Sequence, residues 1–98
     1  MGQGNGSTPV TIDDVNLETP IGARLLIRTT TTVGAVVVFS AFYTGADNNS
    51  SLPWRESVLA TAVSGDNTII SHALYSNAFY KDSTKTAQCD WMITIQAV

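Results

Sequence analysis

Basic residues are scarce in this sequence. Five Lys and Arg stand against eight Asp and Glu, giving a net charge of −3 over 98 residues. So few cations cannot track a phosphate backbone or hold an anionic bilayer surface, and neither nucleic acid nor membrane is an expected partner. Charge of either sign is thin, at 13% of the chain, where an average soluble domain carries about 25%. The wetted surface must therefore be built from Ser, Thr, Asn and Gln, or another chain must cover part of it. The single cysteine, Cys89, excludes an internal disulfide framework and a Cys-based zinc site. The single histidine, His72, leaves too few ligands for a transition-metal site within one subunit. No apolar run approaches the roughly 20 residues of a membrane-spanning helix. The opening MGQGNGSTP lacks the apolar core of a secretion signal. No cofactor is expected.

What the chain does hold is β-branched residues in alternation. In Ala23 to Val33 the odd positions are apolar or methyl-bearing, while the even positions carry Arg24 and Arg28. Period two in such residues predicts a half-buried strand. Four consecutive threonines, Thr29 to Thr32, argue against a helix, where their side chains lose rotamer freedom. Ala35 to Tyr43 is apolar on both faces and uncharged. Gly34 between them predicts a hairpin with a three-residue loop, Thr31 opposite Ala35, Ile27 opposite Phe39 and Leu25 opposite Ala41. The alternative is a bulge at Gly34 within one long bent strand.

The rest follows the same logic. Residues 1–8 read as a flexible arm and 9–98 as one domain. Val10 to Ile12 could form a short edge strand, and Asp13 to Gly22 is a loop. Thr44 to Pro53 is a long polar loop. Trp54 to Val63 mixes helical and strand spacing, and a strand from Ser57 is favoured. Ser64-Gly65-Asp66-Asn67 predicts a turn. Thr68 to Tyr75 is a strand, interrupted before Ala78 to Tyr80, and Lys81 to Lys85 a hairpin loop. Ala87 to Val98 shows the cleanest alternation, which turns Cys89, Trp91, Ile93, Ile95 and Ala97 inward. Six or seven short strands with turns between them predict an all-β, single-domain antiparallel β-sandwich or jelly roll.

Candidate chemistry is sparse. A Cys89–His72 pair is the one nucleophilic dyad the composition allows, yet Cys89 has the neighbours of a small core residue. Asp13, Asp14 and Glu18 in one loop, and Asp47 in another, could offer oxygen to calcium, but without EF-hand spacing they read as turn residues. Three sequons, at Asn5, Asn48 and Asn49, fit the glycosylation pattern, a weak match without a secretion signal. Two readings remain. In one, the chain is a non-catalytic structural or interaction module that assembles as a homo-oligomer, a trimer being favoured, or within a larger particle such as a virion, as decoration proteins and fibre tips do. Val36, Val38 and Phe42 would form its interface, because a strand apolar on both faces needs covering twice. In the other it is a small carbohydrate-binding, lectin-like domain, with Tyr43, Asp47, Asn48, Asn49 and Trp54 as ligand residues around the Thr44 to Pro53 loop.

Overall fold

The computed structural model describes residues 1–95. The chain is all-β, a small sandwich of two three-stranded antiparallel sheets. Its strands are β1 (Gly2–Gly4), β2 (Thr29–Val33), β3 (Val36–Tyr43), β4 (Trp54–Ala60), β5 (Ile69–Phe79) and β6 (Ala87–Thr94). One sheet has the order β1-β4-β5 and the other β2-β3-β6. Gln96, Ala97 and Val98, the end of the strand expected from Ala87, lie outside the described residues.

The core forms where the two sheets face each other. Met1, Ile21, Ala41, Tyr43 and Trp54 are buried together, with Leu25, Ile27, Ala87, Cys89 and Trp91 packed against them. Trp54 meets Tyr43 edge-on at 4.9 Å and Phe79 at 5.4 Å, the geometry preferred by ring quadrupoles. β6 alternates as its sequence predicts, with odd residues half-buried and even ones exposed. A buried polar link joins the sheets: the Gln3 amide donates to the Tyr43 hydroxyl at 3.0 Å and accepts from Tyr75. Burial holds both phenols above their ordinary pKa.

Several expectations need correction. Residues 1–8 were read as a flexible arm, but Met1 to Gly4 are buried in the sandwich. β1 pairs with β4 through Gly2↔Val58 and Gly4↔Glu56. On its other side, residues 19–25 bond to it antiparallel, with Ile21 N–H donating to Gln3 O at 2.8 Å and Leu25 N–H to Met1 O at 2.9 Å. The alternate glycines that suggest a linker serve close packing. A Cβ on Gly4 would stand 2.6 Å from the Thr19 carbonyl oxygen and 2.7 Å from the Glu56 carboxylate.

That pairing also explains the hairpin. Because residues 19–25 are drawn to β1, the strand expected from Ala23 begins at Thr29. Thr30 pairs with Phe39 and Thr31 with Val38, while Ala41 pairs with Cys89. The loop has two residues, Gly34 and Ala35, with Gly34 at φ 59° and Ala35 at negative φ. Positive φ at the first central residue alone is the type II′ pattern, whose twist suits a tight hairpin better than the expected three-residue loop.

Val10 to Ile12 forms no strand. The Thr11 amide and hydroxyl both donate to the Asp14 carboxylate at 3.0 Å, and this local turn wins over strand pairing. β4 starts at Trp54, three residues earlier than expected, and β5 runs unbroken to Phe79 with a register irregularity opposite Trp54–Glu56. Lys81 to Lys85 belongs to no hairpin, because β5 and β6 lie in different sheets and this segment crosses between them.

Candidate functional site

The loop expected to bind a ligand is occupied by its own packing. Tyr43 and Trp54 are each 1% exposed, so neither offers a free ring face. The Asp47 carboxylate accepts from the Thr44 amide at 2.7 Å and its hydroxyl at 3.0 Å, which holds its pKa below the usual carboxylate range. Asn48, at φ 51°, donates to Ile21 O at 2.7 Å and Ala23 O at 2.9 Å, and its carbonyl accepts from the Trp54 indole at 3.1 Å. Asn49 donates to Gly45 O at 2.7 Å and accepts from the buried Lys81 ammonium at 2.8 Å. The five residues do come together, as a clasp fixing the crossover at residues 21–23 and the link at Lys81.

Val36, Val38 and Phe42 lie on the outer face of the β2-β3-β6 sheet, half-buried. Val36 stands between Val33 and Thr94, and Val38 between Thr31 and Met92. The Arg28 guanidinium covers Phe42 at 4.9 Å from the ring centroid.

The two flanks of the sandwich differ. On the β1/β2 flank, residues 19–28 pass from one sheet to the other, bonding first to β1 and then, through Arg28 N–H to Ser40 O at 2.8 Å, to β3. There the crossover covers the outer edge of β1, while β2 remains an edge strand whose five residues are all exposed. On the other, β5 and β6 are both edge strands. A groove of about 350 Å³ runs between them, lined by Ala73, Leu74 and Tyr75 from one side and Cys89, Trp91 and Met92 from the other. A second hollow continues it past Phe79 and Ala87. Exposed apolar side chains crowd here: Leu74, Tyr75 and Phe79 on β5, and Met92 on β6. The sequence reading missed this flank. The signal was present in the twelve residues Ile69 to Tyr80, which contain no Asp, Glu, Lys, Arg or Pro, the residues that usually guard a free strand edge.

A second arrangement, also missed, sits on the outer face of the β1-β4-β5 sheet. Glu56 is fully buried there beneath residues 5–19. Its Oε2 accepts from the amides of Gly6 at 2.6 Å and Thr19 at 2.8 Å, and its Oε1 from the Glu18 amide and His72 Nε2, both at 2.8 Å. His72 Nδ1 meets Asp14 Oδ2 at 2.8 Å on the ring's other side. The Thr11 amide above all, then His72, holds the Asp14 carboxyl below its usual pKa. Cys89 lies between the sheets, 3.7 Å from the Tyr75 hydroxyl, and burial raises its thiol pKa. The two residues of the expected dyad therefore belong to different sheets and are separated by the β1-β4-β5 sheet, and both His72 nitrogens are taken by carboxylates.

No family model matches the chain, and no curated protein or solved structure is detectably similar to it.

Proposed function

We propose that the protein is a structural and interaction module that acts by pairing with a second copy of itself along the β5/β6 flank. One observation carries this reading: two free strand edges, β5 without Asp, Glu, Lys or Arg and β6 with Asp90 alone, border a largely apolar groove on one side of the sandwich, while on the other the crossover covers β1 and leaves only the threonine-rich edge of β2. An unpaired edge presents a row of backbone donors and acceptors, and a matching edge satisfies them. Two-fold pairing of identical edges needs only one self-complementary patch.

Surface area supports the reading. The molecule exposes 6055 Å², where a monomer of this mass exposes about 5,400 Å². The excess approaches the roughly 800 Å² that each partner of a standard interface buries. The outer valines Val36 and Val38 extend the apolar surface beyond β6 through Met92. Assembly within a larger particle, such as a virion, is the setting proposed, on the compositional ground of low charge. Hydrogen exchange at two concentrations tests the surface. Slower exchange in β5 and β6 at high concentration, with β2 unchanged, is the expected result. Exchange independent of concentration throughout would refute it.

A further inference from the structure

Glu56 and His72 together define a protonation state by hydrogen-bond count. A carboxylate offers two oxygens and about four lone-pair sites. Three backbone amides and His72 Nε2 fill those of Glu56, so the carboxyl has no room for a proton and Nε2 must donate. Asp14 takes the Thr11 amide, the Thr11 hydroxyl and His72 Nδ1. It too is an acceptor, so Nδ1 must also donate. A neutral imidazole donates from one nitrogen only, and two donations require the imidazolium. The side chain is 6% exposed, so little water is at hand to replace either bond.

The other charges around His72 have the same sign. Besides Glu56 from β4 and Asp14 from the loop, Glu18 lies close enough to interact with it, and Asp13 and Asp66 line the same cavity. Among the described residues, no Lys or Arg lines that cavity or the neighbouring one beside Ile69 and Ile70.

The anchoring of residues 5–19 is uneven. Gly6, Glu18 and Thr19 are fixed by Glu56. Asn16 is fixed by Arg24, whose guanidinium donates to its side chain at 3.0 Å and also holds the Ala62 and Gly65 carbonyls. Between these anchors, Val10 and Ile12 are exposed and bury little. Among the described residues, the His72 bond to Asp14 ties this segment to the sheet, and the Asn67 amide, which donates to Val15 O at 3.2 Å, ties its end to the turn before β5.

We propose that residues 7–15 form a pH-gated cover on the outer face of the β1-β4-β5 sheet, closed while His72 carries both protons and released when it loses one. On deprotonation one ring nitrogen presents a lone pair to a carboxylate oxygen. Glu56 is buried and held by three amides, so its bond to the ring persists. Asp14, on the more exposed side, lets go, and its loop, giving up the Asn67 bond to Val15 as well, swings from hinges at Gly6 and Asn16 to uncover His72 and Ser71.

The test follows the imidazole of the whole, isotopically labelled protein by NMR from about pH 5 to about pH 10, well past the range in which a histidine ordinarily changes charge. Hydrogen exchange of the Thr11 and Asp14 amides, corrected for intrinsic rates, is read in parallel. The expected result is protons on both nitrogens at the acid end, then loss of the Nδ1 proton together with at least a tenfold fall in protection of residues 7–15, the Gly6 amide being unaffected. A ring singly protonated at the acid end, a ring that keeps both protons across the whole range, or a ring that titrates while the loop stays protected overturns the proposal. His72→Gln supplies the second readout. Its loop protection should not vary over this range, and a wild-type profile in that variant would place the control elsewhere. If the variant does not fold, the wild-type measurement decides alone.

Discussion

Glu56 shows how one side chain can organise a region no motif announces. Its carboxylate replaces backbone partners that residues 6, 18 and 19 would otherwise lack beneath the loop. Glu56→Gln keeps the shape but turns one acceptor into a donor facing amide donors. The expected cost is roughly 3 kcal/mol, since a buried polar group loses its match and the His72 partner loses its counter-charge. Urea denaturation of the variant measures it, and a change below about 0.5 kcal/mol would show that the amides find other partners. Two glycines separate close packing from backbone strain. Gly4→Ala drives a methyl into the Thr19 carbonyl and is expected to cost about 1–3 kcal/mol, as overpacking does. Gly34→Ala meets nothing within 4 Å and carries only the left-handed penalty of about 1 kcal/mol. Equal losses at both positions would contradict this assignment. At this scale the sequence said little. Glu56 sits in an ordinary alternation, WRESVLA, and nothing local marks its burial. The glycines at 2, 4 and 6 have the composition of a linker but the period of a strand.

Among the elements, the central strand β3 and the last strand β6 were legible, because their alternation is local and both are held against the core face. The β2/β3 register was not. It depends on residues 19–25 bonding to β1, a competition between distant segments that no turn rule contains. β5 was legible as a strand but not as an edge, since strand order is a property of the assembled sheets. The loops carry their own electrostatics. Asp14, Glu18, Asp47, Asp82 and Asp90 all have pKa values lowered by donors, chiefly Thr11, Thr8, Thr44, Thr84 and Ser40 in that order. A carboxyl with a lower pKa folded than unfolded stabilises the fold fully above its unfolded value, and that contribution is lost as pH falls through the folded value. These carboxylates should therefore cost the melting temperature nothing down to about pH 4, the ordinary carboxylate range, and it should fall progressively below that. A melting temperature unchanged down to pH 2 would mean these bonds do not distinguish the folded chain from the unfolded one.

For the whole molecule, the sandwich class followed from the number of strands and the turns between them, and the apolar excess followed from the scarcity of charge. Where that excess lies did not. The sequence placed it on the second face of β3, at Val36, Val38 and Phe42, whereas the more exposed apolar surface is the β5/β6 flank. A 98-residue chain leaves a large part of its surface wet. Here the chain covers the β1 edge with its own crossover, and among the described residues no further segment covers the β5 and β6 edges. Light scattering coupled to size exclusion, at micromolar to hundred-micromolar protein, tests this most directly when wild type is run beside Leu74→Lys/Met92→Lys. Both substituted residues line the groove and are 39% and 68% exposed, so the change spares the folded monomer. Wild type should run as a dimer or larger at the upper concentrations, and the folded variant as a monomer throughout. A wild-type chain that stays monomeric across the range, or a variant that assembles equally well, would contradict the account.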